Sequence, residues 1–203
     1  MQWEIDLVKD IRLNSDLDDR DGLIAELGLK ASGATVEFSE ANHQALQKAI
    51  DSCSVPPKTF LEIGVCRNGE YSSTHTILKN VPVGGVYLGV DIADKSYLNN
   101  HQAGIHTMKT SSSNYDIIVS KLKSLGVETL DFIFIDGWHS INQVLIDWEY
   151  TKILSDGGVV AFHDTTSHPG PNQFVNNLDK TKWTVHENLC PLDNGLGYCY
   201  RKR

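Results

Sequence analysis

A chain of 203 residues, 40% hydrophobic and 22% charged, is long enough to bury one full core and short for two, so one domain is expected. Its 18 Lys and Arg against 26 Asp and Glu give a formal net charge of -8 with no basic run, which argues against nucleic acid as a partner. No apolar stretch approaches the roughly 20 residues of a membrane span, and the start MQWEIDLVKD lacks the basic-then-apolar order of a secretion signal, so a cytoplasmic protein with no membrane partner is expected.

Residues 1–35 read as an arm apart from the core, and residues 36–203 as the single domain. In the arm Trp3, Leu7, Val8 and Ile11 recur at helical spacing before the acidic cluster Asp16, Asp18, Asp19 and Asp21 interrupts them. Three placements are open for it: a lid over a site, a dimer contact in a homo-oligomer, or a helix on the outside of the sheet. A helix is expected from Ser39, as N-cap, through Ile50, ending before Pro56 and Pro57. Strands are expected at 59–65, 86–91, 105–109, 130–136 and 159–163. Between them the helix at 114–125 sets Ile117, Ile118, Leu122 and Leu125 on one face with Gly126 as its stop, and the helix at 141–154 aligns Ile141, Val144, Leu145 and Trp148.

Strand alternating with helix implies a Rossmann-like, doubly wound α/β fold with a mostly parallel sheet. Two further strands, 183–189 and 195–200, are separated by the turn-rich PLDNG and are expected to close a seven-stranded sheet with an antiparallel hairpin. Trp148 and Trp183 are expected in the core. The cysteines Cys53, Cys66, Cys190 and Cys199 show no metal-type spacing and read as thiols, a Cys190–Cys199 bridge being the one pairing open.

The chemistry gathers at strand ends. Leu130–Ser140, LDFIFIDGWHS, is a buried-strand pattern running straight into Asp136, Gly137, Trp138 and His139, where open α/β sheets bind ligands. The junction FLEIGVCRNGEYSS places Gly64 and Gly69 before a helix N-terminus, which favours an anionic group, but Cys66 and Arg67 break the G-x-G-x-x-G pattern. The second strand ends on Asp91, where an acid commonly holds ribose hydroxyls. Asp147 and Glu149 read as helix surface or as a bond back to the Asp136 loop, and His43, His101, His106, His168 and His186 as structural.

Glu62-x-Gly64, Asp91 and Asp136, one after each of three strands, resemble a class I S-adenosylmethionine-dependent methyltransferase. SSSNYDII and TLDFIFIDGWHS resemble catechol O-methyltransferases. DGWHSINQVLIDWEY followed by LSDGGVVAFHDTT resembles the small O-methyltransferases of the macrocin and cephalosporin-biosynthesis group.

The resemblance, which covers residues 59–199, implies O-methylation of a small-molecule hydroxyl with S-adenosylmethionine and a divalent cation, Mg2+ first. It implies that Glu62, Gly64, Val65, Gly69 and Ser72 form the pocket for the methionine part of the cofactor and that Asp91 binds the ribose. Ser113, Asn114, Tyr115 and Trp138 would surround the adenine. Asp136, Asp164 and His163 would be metal ligands, Asp136 facing cofactor and substrate as well, and His139 would accept the hydroxyl proton. Asn68, Glu70, His163 and Thr165 depart from the family pattern; a histidine among the ligands tilts preference from Mg2+ towards Mn2+, Fe2+ or Zn2+. Two alternatives stand beside this reading: a non-catalytic cofactor-binding or regulatory protein of the same fold, and a nicotinamide-dependent reductase.

Overall fold

The computed structural model describes residues 6, 7, 29, 38–65 and 72–203. Most of the 1–35 arm, and the predicted site residue Gly69, therefore lie outside the described residues. In chain order the elements are α1 (Glu40–Asp51), β1 (Thr59–Ile63), α2 (Ser73–Asn80), β2 (Val86–Asp91), β3 (Ile105–Lys109), α3 (Tyr115–Ser124), β4 (Leu130–Ile135), α4 (Ile141–Trp148), β5 (Leu154–His163), α5 (Pro169–Asn177), β6 (Trp183–Leu189) and β7 (Leu196–Arg201). The sheet runs β3-β2-β1-β4-β5-β7-β6. β1 to β5 pair in parallel, and β7 enters antiparallel between β5 and β6.

Period-two alternation explains how the sheet is covered. Leu61, Ile63, Leu88, Val90, Ile133, Ile135, Val160 and Phe162 face α3, α4 and α5, packing on Ile118, Leu122, Val144, Trp148 and Phe174. Phe60, Tyr87, Phe132, Phe134, Val159 and Ala161 face the other way, onto Leu46, Ala49 and Ile50 of α1 and Ile77 of α2. Ser39 caps α1 as expected, its hydroxyl accepting from the Asn42 amide N–H at 3.2 Å.

Three expectations need adjusting. β5 begins at Leu154, earlier than the glycines suggested, because a register irregularity between Leu130 and Phe132 carries the pairing past Gly157, which sits at φ 85°. The helix after β4 stops at Trp148 and tightens into a 3-10 turn over Glu149–Ile153, where the Thr151 hydroxyl donates to the Trp148 carbonyl at 2.7 Å. Ile117, assigned to the buried face of α3, is exposed, and Ile118 and Leu122 alone of that helix are fully buried. Cys190 and Cys199 are both free thiols. Among the described residues no helix is long and apolar enough to cross a membrane.

Part of the arm is tied to the core. Asp6 is buried, and its two carboxylate oxygens accept from the indole N–H groups of Trp148 and Trp183, each at 3.1 Å. Its carbonyl accepts from the Asp179 N–H, and Leu7 bridges to Leu178. Asp6→Ala strands two buried indole donors, at a cost of roughly 1–3 kcal/mol each. A lower urea midpoint with an unchanged denaturant slope is the expected result.

Candidate active site

Parallel pairing brings the carboxyl ends of β1, β2, β4 and β5 to one edge, and the strand order reverses between β1 and β4, where such sheets open a crevice. The backbone is drawn tight at that point. Gly64 has φ 83°, and a Cβ there would lie 1.9 Å from the Asp136 carbonyl oxygen, so only glycine lets the ends of β1 and β4 touch. The Asp136 N–H donates to the Ile63 carbonyl at 2.8 Å, and the Gly64 N–H to the Val90 carbonyl at 2.9 Å. The Val65 N–H donates to Asp91 Oδ2 at 2.9 Å, and the Ala93 N–H to Asp91 Oδ1 at 2.7 Å. Asp91 thus holds the turn after β1 while keeping a fixed carboxylate at the crevice, with Lys95 Nζ 3.8 Å away.

Glu62, expected in the cofactor pocket, is fully buried below the start of α2. Its carboxylate accepts from Ser73 Oγ at 2.7 Å, Thr74 Oγ1 at 3.0 Å and the Tyr87 hydroxyl at 2.5 Å. Burial, with Asp136 nearby, outweighs those bonds and pushes its pKa up to about 7. The side chain braces the start of α2, where Ser72 is buried at the N-cap position.

On the far side, Ser113 and Asn114 are exposed in the β3–α3 loop, Ser113 Oγ donating to Gln143 Oε1 at 3.3 Å and Asn114 Nδ2 to Thr110 Oγ1 at 2.9 Å. Tyr115 turns its ring to Tyr150, at 5.0 Å between centroids. Trp138 is 56% exposed on the rim. Gln143 ties this wall together, its amide donating to Ser112 Oγ at 2.9 Å and to Asp147 Oδ1 at 2.8 Å. Asp147 is not on the helix surface: it is fully buried, its Oδ2 has no hydrogen-bond partner among the described residues, and burial pushes its pKa up to about 7.

The densest chemistry lies where β4 and β5 end. Asp164 adopts φ 59°, in the left-handed region, and is buried. Around its carboxylate stand three imidazoles: His139 Nε2 at 2.8 Å and His163 Nδ1 at 3.5 Å from Oδ2, and His168 Nδ1 at 3.6 Å from Oδ1. Burial alone would push Asp164 up; the three rings instead hold its carboxyl well below the usual carboxylate range. Asp136 Oδ1 lies 3.2 Å from His163 Nδ1. Gly170 lets α5 close over this group, since a Cβ there would meet the His139 carbonyl oxygen at 2.1 Å.

His163 is fixed from behind. Asn42 Nδ2 lies 2.7 Å from its Nε2 and also donates to the Asp193 carbonyl at 3.0 Å, a contact that only the N–H side of the amide can make. The amide must therefore present N–H to Nε2, and the ring keeps its one proton on Nδ1, towards Asp136. Two influences on this ring conflict. Burial lowers its pKa, while Asp136 and Asp164 more than offset burial and raise it to about 10; yet a second proton on Nε2 would oppose the Asn42 N–H. The hydrogen-bond network favours the neutral ring, which brings the two carboxylates one N–H donor rather than a full positive charge. That donor set suits a divalent ion at Asp136 and Asp164. Ligation through His163 Nδ1 would require the Asn42 amide to turn over.

His168, read from sequence as structural, belongs to this group, and Asn42, which steadies His163, had no signal in the sequence, nor had Gln143 on the opposite wall. The i,i+4 spacing of Asp164 and His168 was the one local signal for the former.

A parallel sheet that reverses after its third strand and ends with an antiparallel strand inserted next to its last position is the architecture of class I S-adenosylmethionine-dependent methyltransferases. A family model described as a methyltransferase domain matches residues 61–165, just over half of the chain, and the chain belongs to that family. The nicotinamide reductase alternative falls with that match.

Among solved structures, MycE methyltransferase from the mycinamycin biosynthetic pathway, in complex with Mg and SAH, is similar at 15% identity and a TM-score of 0.55, over 82% of this chain and 52% of that one. The chain thus spans about half the length of that relative. An O-methyltransferase from Bacillus cereus in complex with SAH is similar at 14% identity and a TM-score of 0.51, covering 94% of this chain and 93% of that one. These likenesses are of fold. No curated protein matches the chain in sequence.

Asp147 carries a pH signature. Its folded pKa of about 7 stands above the ordinary 3.8, so its contribution to stability is full below the ordinary value and is lost as pH rises through about 7. Asp147→Asn should remove a slope of up to about 1.4 kcal/mol per pH unit from the wild-type stability profile in that window. Denaturant unfolding at a series of pH values measures it, and identical slopes in the two proteins would refute the assignment.

Proposed function

We propose that the protein transfers the methyl group of S-adenosylmethionine to a hydroxyl oxygen of a small molecule, with a divalent cation, Mg2+ in the first instance, held by Asp136 and Asp164. The observation that carries this reading is the convergence of Asp136, His139, His163 and Asp164 at the ends of β4 and β5, across the crevice from Asp91. A cofactor pocket alone has no use for two carboxylates and a histidine facing the same space.

Each residue then has a task. Asp91, whose oxygens are aimed by the Val65 and Ala93 amides, keeps lone pairs for the two ribose hydroxyls. Gly64, Val65 and Ser72 line the methionine end, Glu62 bracing it from below. Ser113 and Asn114, held by Gln143 and Thr110, border the adenine with Tyr115 behind them, and Trp138 on the rim closes over it. The cation, when bound, lowers the pKa of a hydroxyl oxygen at the site.

His139 takes the proton. Its Nε2 faces Asp164 at 2.8 Å, so that nitrogen carries the hydrogen and Nδ1 is the basic one. As the hydroxyl oxygen attacks the methyl carbon, the sulfur–carbon bond breaks, the oxygen–carbon bond forms, and the hydroxyl proton passes to His139, whose new charge is stabilised by Asp164. His163 donates Nδ1–H to Asp136 and orients it.

The first test is calorimetric titration of SAH into the purified protein and Asp91→Ala. Binding in wild type, weakened at least about tenfold in the variant, is expected from the loss of charge-assisted bonds. No binding by folded wild type would overturn the reading. With an acceptor found by screening hydroxylated compounds, His139→Ala should lower turnover by about 10²–10⁴ while leaving SAH affinity in place.

A further inference from the structure

The group around Asp164 contains two sets of ligand atoms: Asp136, His163 and Asp164 form one, and His139, Asp164 and His168 the other, the atoms within each set lying within 4.8 Å of one another. The second set differs in kind. It offers two imidazoles and one carboxylate, the donor combination that suits borderline transition ions such as Zn2+, whereas the first, with the His163 N–H turned to Asp136, is left with two carboxylates, the oxygen donors that suit Mg2+.

It is also built. Asp164 and His168 are each 6% exposed, so two of the three ligands are buried and His139, half-buried, stands at the opening. The His139 and His168 rings lie 3.9 Å apart between centroids, inclined at 41°, so both flank the same carboxylate. Ser167 Oγ, 3.1 Å from Asp164 Oδ1 and 2.9 Å from His168 Nδ1, fixes both groups from one side. The left-handed backbone at Asp164 is what turns its carboxylate between the two rings, and such strain is commonly retained at functional positions.

We propose that His139, Asp164 and His168 form a second cation site, selective for Zn2+ or a similar borderline ion over Mg2+. An ion held there occupies His139, the residue to which the proposed reaction assigns the proton, so it acts as an inhibitor. The binding claim stands on the three residues alone; only the inhibition rests on the methyltransferase reading. Because Asp164 serves both sets, Zn2+ at the second also weakens Mg2+ at the first.

Metal-stripped full-length protein, titrated separately with Zn2+, Mg2+ and SAH, tests this. In His168→Gln, Zn2+ affinity should fall at least tenfold, with Mg2+ and SAH affinities within about twofold of wild type. In Asp136→Asn the pattern should invert, Mg2+ affinity falling and Zn2+ affinity persisting. His139→Gln, at a half-buried position, should repeat the Zn2+ loss, which guards against a folding defect at buried His168; thermal melting of all three variants checks that they fold. A wild type that binds no Zn2+, a folded His168→Gln that binds it as wild type does, or an Asp136→Asn that loses both ions would each overturn the second site. Absence of SAH binding with the Zn2+ pattern intact would instead remove the methyltransferase reading and leave the site standing.

Discussion

One buried carboxylate in a strained backbone organises this molecule's chemistry. Asp164 occupies a left-handed conformation that costs a non-glycine residue of order 1 kcal/mol or more. The surroundings enforce it: the His168 N–H donates to the Asp164 carbonyl, and the Thr165 and Thr166 N–H groups donate to the carbonyls of Gly195 and Asn194. With the backbone so held, one side chain meets imidazoles from the β4–α4 loop, from the end of β5 and from the start of α5. Remove the carboxylate and three histidines lose their common partner.

The approach of β1 to β4 supplies the second condition. Gly64 allows the two strand ends to touch, and the touching backbone fixes both Asp136 and the Val65 amide that aims Asp91. The cofactor side and the chemical side of the crevice are therefore set by one contact. A side chain at Gly64 would displace them together.

How much of this could be read in advance follows the range of the interactions. Strands at 86–91 and 105–109 have the limits expected, the first because a strand buried on both faces announces itself locally, the second, a half-buried edge strand, because glycine and threonine bracket it. Asp91 ends a buried strand, Asp136 and Asp164 directly follow one, and His139 comes in the loop after Asp136, which is why their places were legible. Asn42 was not: it meets His163 from 121 residues away, and no spacing encodes that. Of the two places open for Asp147, the helix surface falls away, because the packing of α4 against the Ser112 loop buries it, and its Oδ2 lies towards Gly137 of the Asp136 loop. His168 was passed over because two prolines and a glycine after it look like a loop, yet they open α5 with proline at a position that tolerates it.

The turn between β6 and β7 supports all of this from outside the span that the family model matches. Its residues 193–195 take Asn42 on the Asp193 carbonyl, Ser39 on the Asp193 carboxylate, and the Thr165 and Thr166 amides on the carbonyls of Gly195 and Asn194. A surface hairpin, the part of a sheet where sequence drifts most freely, is here the common wall behind both His163 and Asp164. Lineages of this fold that lengthen or shorten that turn would reposition the Asp164 carboxylate and the His163 ring without altering either residue.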